Sequence, residues 1–233
     1  MCGRFSQLLG SKEIEEEFNV KFYNSKIINS YNITPTQFIS TIKFSDDGNV
    51  FSNMLWNYGI SYSNSQKRNF SIINARDDSL HKKLYHKAIN HTRCIIPISG
   101  FYEWKKSDGI KQPYHIHFRD YKPMALGGIF SAYEDLNNNI IETVAIITTS
   151  PSKQMSEIHN RMPLIINKSE YKTWLDSNNE LSNVSHIIKP NDKNLVIDPV
   201  STFVNSPKNN TKECINKIDI TKNEEKQSSL DDF

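Results

Sequence analysis

Residues 93–104 read RCIIPISGFYEW. Isoleucine, phenylalanine, tyrosine and tryptophan suit the pleated, half-buried surface of a sheet, and proline and glycine break any helical reading of the run. Past Gly100 the side chains alternate, so Phe101 and Glu103 share one face while Tyr102 and Trp104 share the other. Short runs of the same kind recur in both directions: FISTIKF (38–44), NVFSNMLW (49–56), FSIINA (70–75), YHIHF (114–118), MALGGIF (124–130), TVAIITT (143–149), MPLIIN (162–167), SHIIK (185–189) and LVIDPVS (195–201). DGN at 47–49 and LNNNI at 136–140 have the composition of hairpin turns.

Helical patterns are fewer. SKEIEEEF (11–18) has Ser11 as a cap and places Ile14 and Phe18 one turn apart. DSLHKKLYHKAI (78–89) sets Leu80, Leu84 and Ala88 on one stripe, and SPSKQMSEI (150–158) has Ser150 as cap with Pro151 at the first helical position. SEYKTWL (169–175) turns Tyr171, Trp174 and Leu175 inward. Strands outnumber helices and never alternate with them in a regular βαβ order. The expected class is α+β: a mostly antiparallel, barrel-like β-sheet with short peripheral helices. One domain is expected over residues 1–220. Residues 221–233, polar and charged, are expected to form a disordered tail.

Composition removes several function classes. No apolar run approaches the roughly 20 residues of a membrane helix, and the opening residues lack a secretory pattern. The expectation is a soluble, intracellular, cytoplasmic monomer without membrane contact. Cys2, Cys94 and Cys214 lie far apart with no paired spacing, which argues against a disulfide framework and against a zinc site. No metal or cofactor is expected. The net charge of +2 does not announce nucleic-acid binding. The 28 cations include only six arginines, however, and Arg4, Arg76 and Arg161 fall in the segments that carry the chemistry below. Arginine grips phosphate through a planar fork, which lysine cannot do.

Those segments start with MCGRFS. If Met1 is removed, Cys2 presents a free α-amine and a thiol on adjacent carbons. The amine has an ordinary pKa of about 7.7–8.0, so part of it is unprotonated near neutrality. It can form a Schiff base with an aldehyde, after which the thiol can close a five-membered thiazolidine. A cysteine at this position also serves commonly as a small hydrophobe. In FSIINARDDSL, Asn74 and Arg76 point the same way; Asn74 on its own reads equally as the start of a turn. Glu103 sits among aromatics, where it is either desolvated and able to move protons or faces water from an edge strand. TTS at 148–150 runs toward an expected helix start, a favourable place for phosphate. His159 suits a proton shuttle or a helix C-terminal cap.

MCGRFS, YNITPTQ, NARDDSL, CIIPISGFYEW, KQPYHIHF, IITTSPS, IHNRMPLII and VSTFVNSPKNNTKEC, in this order over residues 2–217, resemble the successive signatures of the SOS-response-associated peptidase family. The resemblance implies a partner, single-stranded DNA with an abasic site, and an action, covalent capture of the opened sugar at replication forks in the nucleoid. Cys2 would be the nucleophile, Asn74 would hold the Cys2 backbone and the sugar, Glu103 would handle protons on the amine, and His159 would act on the sugar hydroxyl. Arg4, Arg76 and Arg161 would grip phosphates, with Lys87, Thr148, Thr149 and Ser150 as further DNA contacts. Trp56, Pro35 and Met162 would offer an apolar surface to the bases. The family's peptidase label would refer to removal of Met1, with assistance from the protein itself. One departure is LWNYGI, where Asn57 and Tyr58 separate Trp56 from the glycine that follows it directly in the family. An alternative is an amidase or peptidase with an N-terminal nucleophile acting in trans. Separately, Gln227, Leu230 and Phe233 form a Q-x-x-L-x-x-F pattern that resembles sliding-clamp-binding peptides.

Overall fold

The computed structural model describes residues 2–22, 25–45, 48–59, 61–63, 66–68, 72–107, 110–135 and 137–220. Fifteen strands run through the described residues. They are β1 (Phe5–Gln7), β2 (Val20–Lys21), β3 (Ser30–Ile33), β4 (Phe38–Ser45), β5 (Gly48–Trp56), β6 (Ser61–Ser63), β7 (Gln66–Arg68), β8 (Asn74–Arg76), β9 (Arg93–Ile98), β10 (Gly100–Ser107), β11 (Ile110–Phe118), β12 (Met124–Glu134), β13 (Ile140–Thr149), β14 (Met162–Pro163) and β15 (Leu195–Pro199). The α-helices are α1 (Ser11–Phe18), α2 (Lys83–His91), α3 (Tyr171–Leu175) and α4 (Leu181–Val184).

Strands β4, β5, β13, β12 and β9 close on themselves as a five-stranded barrel. The antiparallel pairs β4–β5, β12–β13, β9–β12 and β4–β9 are joined by a parallel β5–β13 contact, Thr143 opposite Leu55 and Val144 opposite Trp56. A second sheet has the order β15-β11-β10-β1-β3. The α+β, barrel-like reading holds, and the parallel closure makes the barrel mixed. RCIIPISGFYEW is divided between the two sheets: β9 ends at Ile98 in the barrel, and β10 begins at Gly100 in the other sheet. Gly100 permits this because a Cβ there would lie 2.5 Å from His115 Nε2 and 2.7 Å from the Ile116 carbonyl oxygen.

Neighbouring residues of the barrel strands enter different cores. Ile95, Ala125 and Ala145 pack with Ile14, Phe18, Ile89 and Trp174 of the helices. Ile96, Leu126 and Ile146 pack with Phe5, Ile33, Phe101 and Ile116 of the second sheet. Burial on both faces explains why these strands read as continuous apolar runs. The strands pair on either side of both expected turns, whose residues 46, 47 and 136 lie outside the described residues. Ser45 pairs with Gly48, whose φ of 105° glycine adopts without strain, and Glu134 pairs with Ile140 around Asn138 at φ 60°.

Four local expectations are corrected. Gly10, not Ser11, caps α1, and Glu13 reaches back to the Gly10 N–H at 3.4 Å. Residues 80–82 form a turn before α2 begins, so Leu84 faces solvent while Ala88 and Ile89 turn inward. SPSKQMSEI forms no α-helix. Its only helical turn is 3₁₀, Met155–Glu157, and Ser152 Oγ accepts the Met155 N–H at 3.2 Å, so Ser152 rather than Ser150 makes the capping bond. SHIIK is a 3₁₀ turn, Ser185–Ile187, continuing from α4 with Ile187 buried. Among the described residues no helix is long and apolar enough to cross a membrane.

Candidate active site

The second sheet brings the N-terminal segment against the barrel. Phe5 pairs with Phe101 on β10 and with Ile33 on β3, which carries Cys2 into the core shared by the two sheets, fully buried. From the barrel side, β8 lies parallel to β13, with Asn74 opposite Ile146 and Arg76 opposite Thr148. That pairing aims Asn74 at the N-terminal segment, and its Nδ2 donates to the Cys2 carbonyl oxygen at 2.9 Å. Asn74 Oδ1 is buried with no hydrogen-bond partner among the described residues. A buried acceptor left so carries a desolvation cost that an incoming donor would relieve.

Glu103 on β10 is buried, so the edge-strand alternative does not apply. Burial raises its pKa to about 7. Burial also raises the Cys2 thiol far above its ordinary range, and the Glu103 charge adds to the effect. Nε2 of His159 lies 4.0 Å from Glu103 Oε2. Burial lowers the His159 pKa. His159 Nδ1 is 3.1 Å from the Arg161 N–H and 3.2 Å from the Arg161 carbonyl oxygen. One backbone residue can thus donate to the neutral ring or accept from the protonated one. The fold therefore gathers Cys2, Asn74, Glu103 and His159 from β8, β10, the N-terminal segment and the turn after residue 157.

The other expected contacts divide into engaged, buried and exposed groups. Arg4 donates to Asn32 Oδ1 at 2.8 Å and the Val204 carbonyl at 2.9 Å, with its guanidinium over Trp104. Arg161 donates to Asp77 Oδ1 at 2.7 Å, to Thr148 Oγ1 at 3.2 Å and to the Thr148 carbonyl. Arg76 pairs with Asp78 at 2.6 Å. Trp56 is fully buried against Phe5, and its Nε1 donates to the Ile73 carbonyl at 2.9 Å. Met162 is buried, with its sulfur accepting the Ser152 N–H. Pro35 is half-buried in the turn beside Trp56, where Thr36 N–H meets the Trp56 carbonyl at 2.9 Å. Thr148 and Thr149 are buried, and Ser150 and Lys87 are exposed. The segment that follows Ser150 is not an α-helix N-terminus, which corrects that part of the phosphate argument. Gln227, Leu230 and Phe233 lie outside the described residues. The sequence reading missed Asp77, Asp78 and Asn32. Two acids directly after an arginine in NARDDSL were the available signal for the first two; nothing local marks Asn32.

The pattern described as SOS response associated peptidase (SRAP) matches residues 1–207. The chain belongs to this family. It is 34% identical over 221 residues to the abasic site processing protein YoqW of Bacillus subtilis (strain 168), covering 92% of this chain and 99% of that protein. It is 31% identical over 197 residues to the abasic site processing protein HMCES of Xenopus tropicalis, covering 74% of this chain and 58% of that longer protein. An X-ray structure of a protein from Bacteroides thetaiotaomicron shares the fold, with a TM-score of 0.80 at 21% identity over 93% of this chain and all of that one. The SRAP barrel and the four gathered residues thus occur together in this chain.

Proposed function

We propose that this protein processes abasic sites in single-stranded DNA, capturing the opened sugar through Cys2 once Met1 has been removed. The Cys2 amine adds to the C1′ aldehyde and water departs, leaving a Schiff base. The thiol then adds to the imine carbon, its proton passes to the nitrogen, and a thiazolidine closes. The observation that carries the reading is a buried Cys2 held by Asn74 and faced by Glu103, with His159 beside Glu103.

Each neighbour has a task that its surroundings support. With a pKa raised to about 7, Glu103 accepts a proton from the α-ammonium near neutrality and can return it. Burial of the thiol favours its protonated form, which suits attack by nitrogen before sulfur. Asn74 fixes the Cys2 carbonyl, and its buried, unpartnered Oδ1 is available to a hydroxyl of the sugar. His159, neutral because its pKa is lowered, serves the sugar hydroxyl during ring opening and reversal. The same groups would assist the loss of Met1. Capture shields the lesion from strand scission.

Intact mass spectrometry, before and after mixing with uracil-glycosylase-treated single-stranded DNA, tests this. The expected species is the chain without Met1 plus the DNA minus one water, absent from Cys2→Ala. A stable adduct on a chain that retains Met1 would refute the thiazolidine. Turnover of peptides or amides with no DNA adduct would favour the hydrolase alternative. Gln227, Leu230 and Phe233 carry a separate proposal, a hook for the replication sliding clamp. Deleting residues 227–233 should abolish clamp pull-down and leave crosslinking intact, and a full chain that binds no clamp ends the idea.

A further inference from the structure

The three residues that follow Asn74 and Ala75 are Arg76, Asp77 and Asp78, and the two acids occupy two different arginines. Asp78 holds Arg76 at 2.6 Å, and Asp77 holds Arg161 at 2.7 Å. The parallel register sets Arg76 opposite Thr148, the residue whose carbonyl and hydroxyl also receive the Arg161 guanidinium. The 3₁₀ turn Asp77–Ser79 fixes both carboxylates: Asp77 Oδ1 accepts the Asp78 N–H at 2.9 Å, and Asp78 Oδ1 accepts the Ser79 hydroxyl at 3.0 Å. Two cations and two anions thus cancel beside the residue that holds Cys2.

We infer that Asp77 and Asp78 are specificity-determining residues: carboxylates that stand in for DNA phosphates on Arg161 and Arg76 and weaken the grip on undamaged strands. The inference rests on the reading of the site as a single-stranded DNA site. A carboxylate and a phosphate present the same paired acceptors to a guanidinium fork. A strand entering the site must displace the carboxylates to reach the arginines. The Arg76–Asp78 pair is solvent-exposed, with both side chains more than half accessible, so it is weak and exchangeable. The Arg161–Asp77 pair is largely buried, at 13% and 27%, so it opens less readily. Non-covalent affinity is thereby held low, and retention is left to the covalent step, which only a lesion with a free aldehyde permits.

The test measures binding of fluorescein-labelled undamaged single-stranded DNA by anisotropy at fixed salt. The proteins are wild type, Asp78→Asn, Asp77→Asn and the control Asp120→Asn, which removes an exposed acid paired to Lys122 outside the site. Releasing one exposed pair should tighten binding by about 2- to 5-fold, beyond any gain in the control. The gain from Asp78→Asn should vanish in an Arg76→Ala background, because the two changes act on one contact. Wild type that binds the strand, with Asp78→Asn no tighter than Asp120→Asn, overturns the inference and leaves the proposed function standing. A gain that survives Arg76→Ala also overturns it, since the effect is then one of net charge. Wild type with no affinity for single-stranded DNA and no adduct overturns both.

Discussion

Replacing Glu103 by glutamine should change the pH dependence of stability by an amount the structure sets. In the folded protein burial raises this carboxyl from about 4.5 to about 7. An acid with a raised folded pKa contributes stability below its unfolded value. That contribution is lost as pH climbs through the folded value, because the folded chain then holds a proton the unfolded chain has released. The window here runs from about 4.5 to about 7. At 1.36 kcal/mol per pH unit, the change between about pH 5 and about pH 8 amounts to roughly 2–3 kcal/mol. Glu103→Gln keeps the shape of the side chain and removes the titration. Urea unfolding of both proteins across this range should show the variant gaining stability relative to wild type as pH rises, by about that amount. A constant difference from acid to base would show that Glu103 ionises freely in the fold, and the proton-transfer role assigned to it would lose its physical basis.

If Glu103 takes the amine proton as proposed, crosslinking by the wild type should rise with pH through about 7; stopped-flow or quench-gel rates across pH check the limb, which Glu103→Gln should lack. Trp56→Ala removes a fully buried indole together with its bond to the Ile73 carbonyl, and chemical denaturation should report a loss of about 3–5 kcal/mol. Gly100→Ala forces a methyl to within 2.5 Å of His115 Nε2 and 2.7 Å of a backbone oxygen; a loss of about 1–3 kcal/mol is expected, seen as a lowered Tm.

The class of fold was legible because strand signals survive without knowledge of partners. The hairpins at Gly48 and Asn138 were marked by residues that tolerate positive φ, and FISTIKF and TVAIITT formed as read. The stripe through Leu84 failed because a turn interrupts it, and SPSKQMSEI failed because Ser152, not Ser150, bonds the Met155 N–H and the turn it opens stops at Glu157. Such outcomes depend on a few tenths to about one kcal/mol of local competition, which composition does not resolve.

By itself the sequence determined the alternation that puts Phe101 and Glu103 on one face, the rarity of arginine, and the order of the segments around Cys2, Asn74, Glu103 and His159. These are properties of covalent spacing and side-chain chemistry, and they persist in any conformation. Only the tertiary structure decided that Glu103 is buried and raised, that Asn74 reaches the Cys2 carbonyl, that Trp56 faces the core, and that Asp77 and Asp78 hold the arginines. Closure of the barrel through the parallel β5–β13 contact and the docking of the second sheet on it create those environments. Desolvation and pairing come from residues distant along the chain, and no local stretch encodes them.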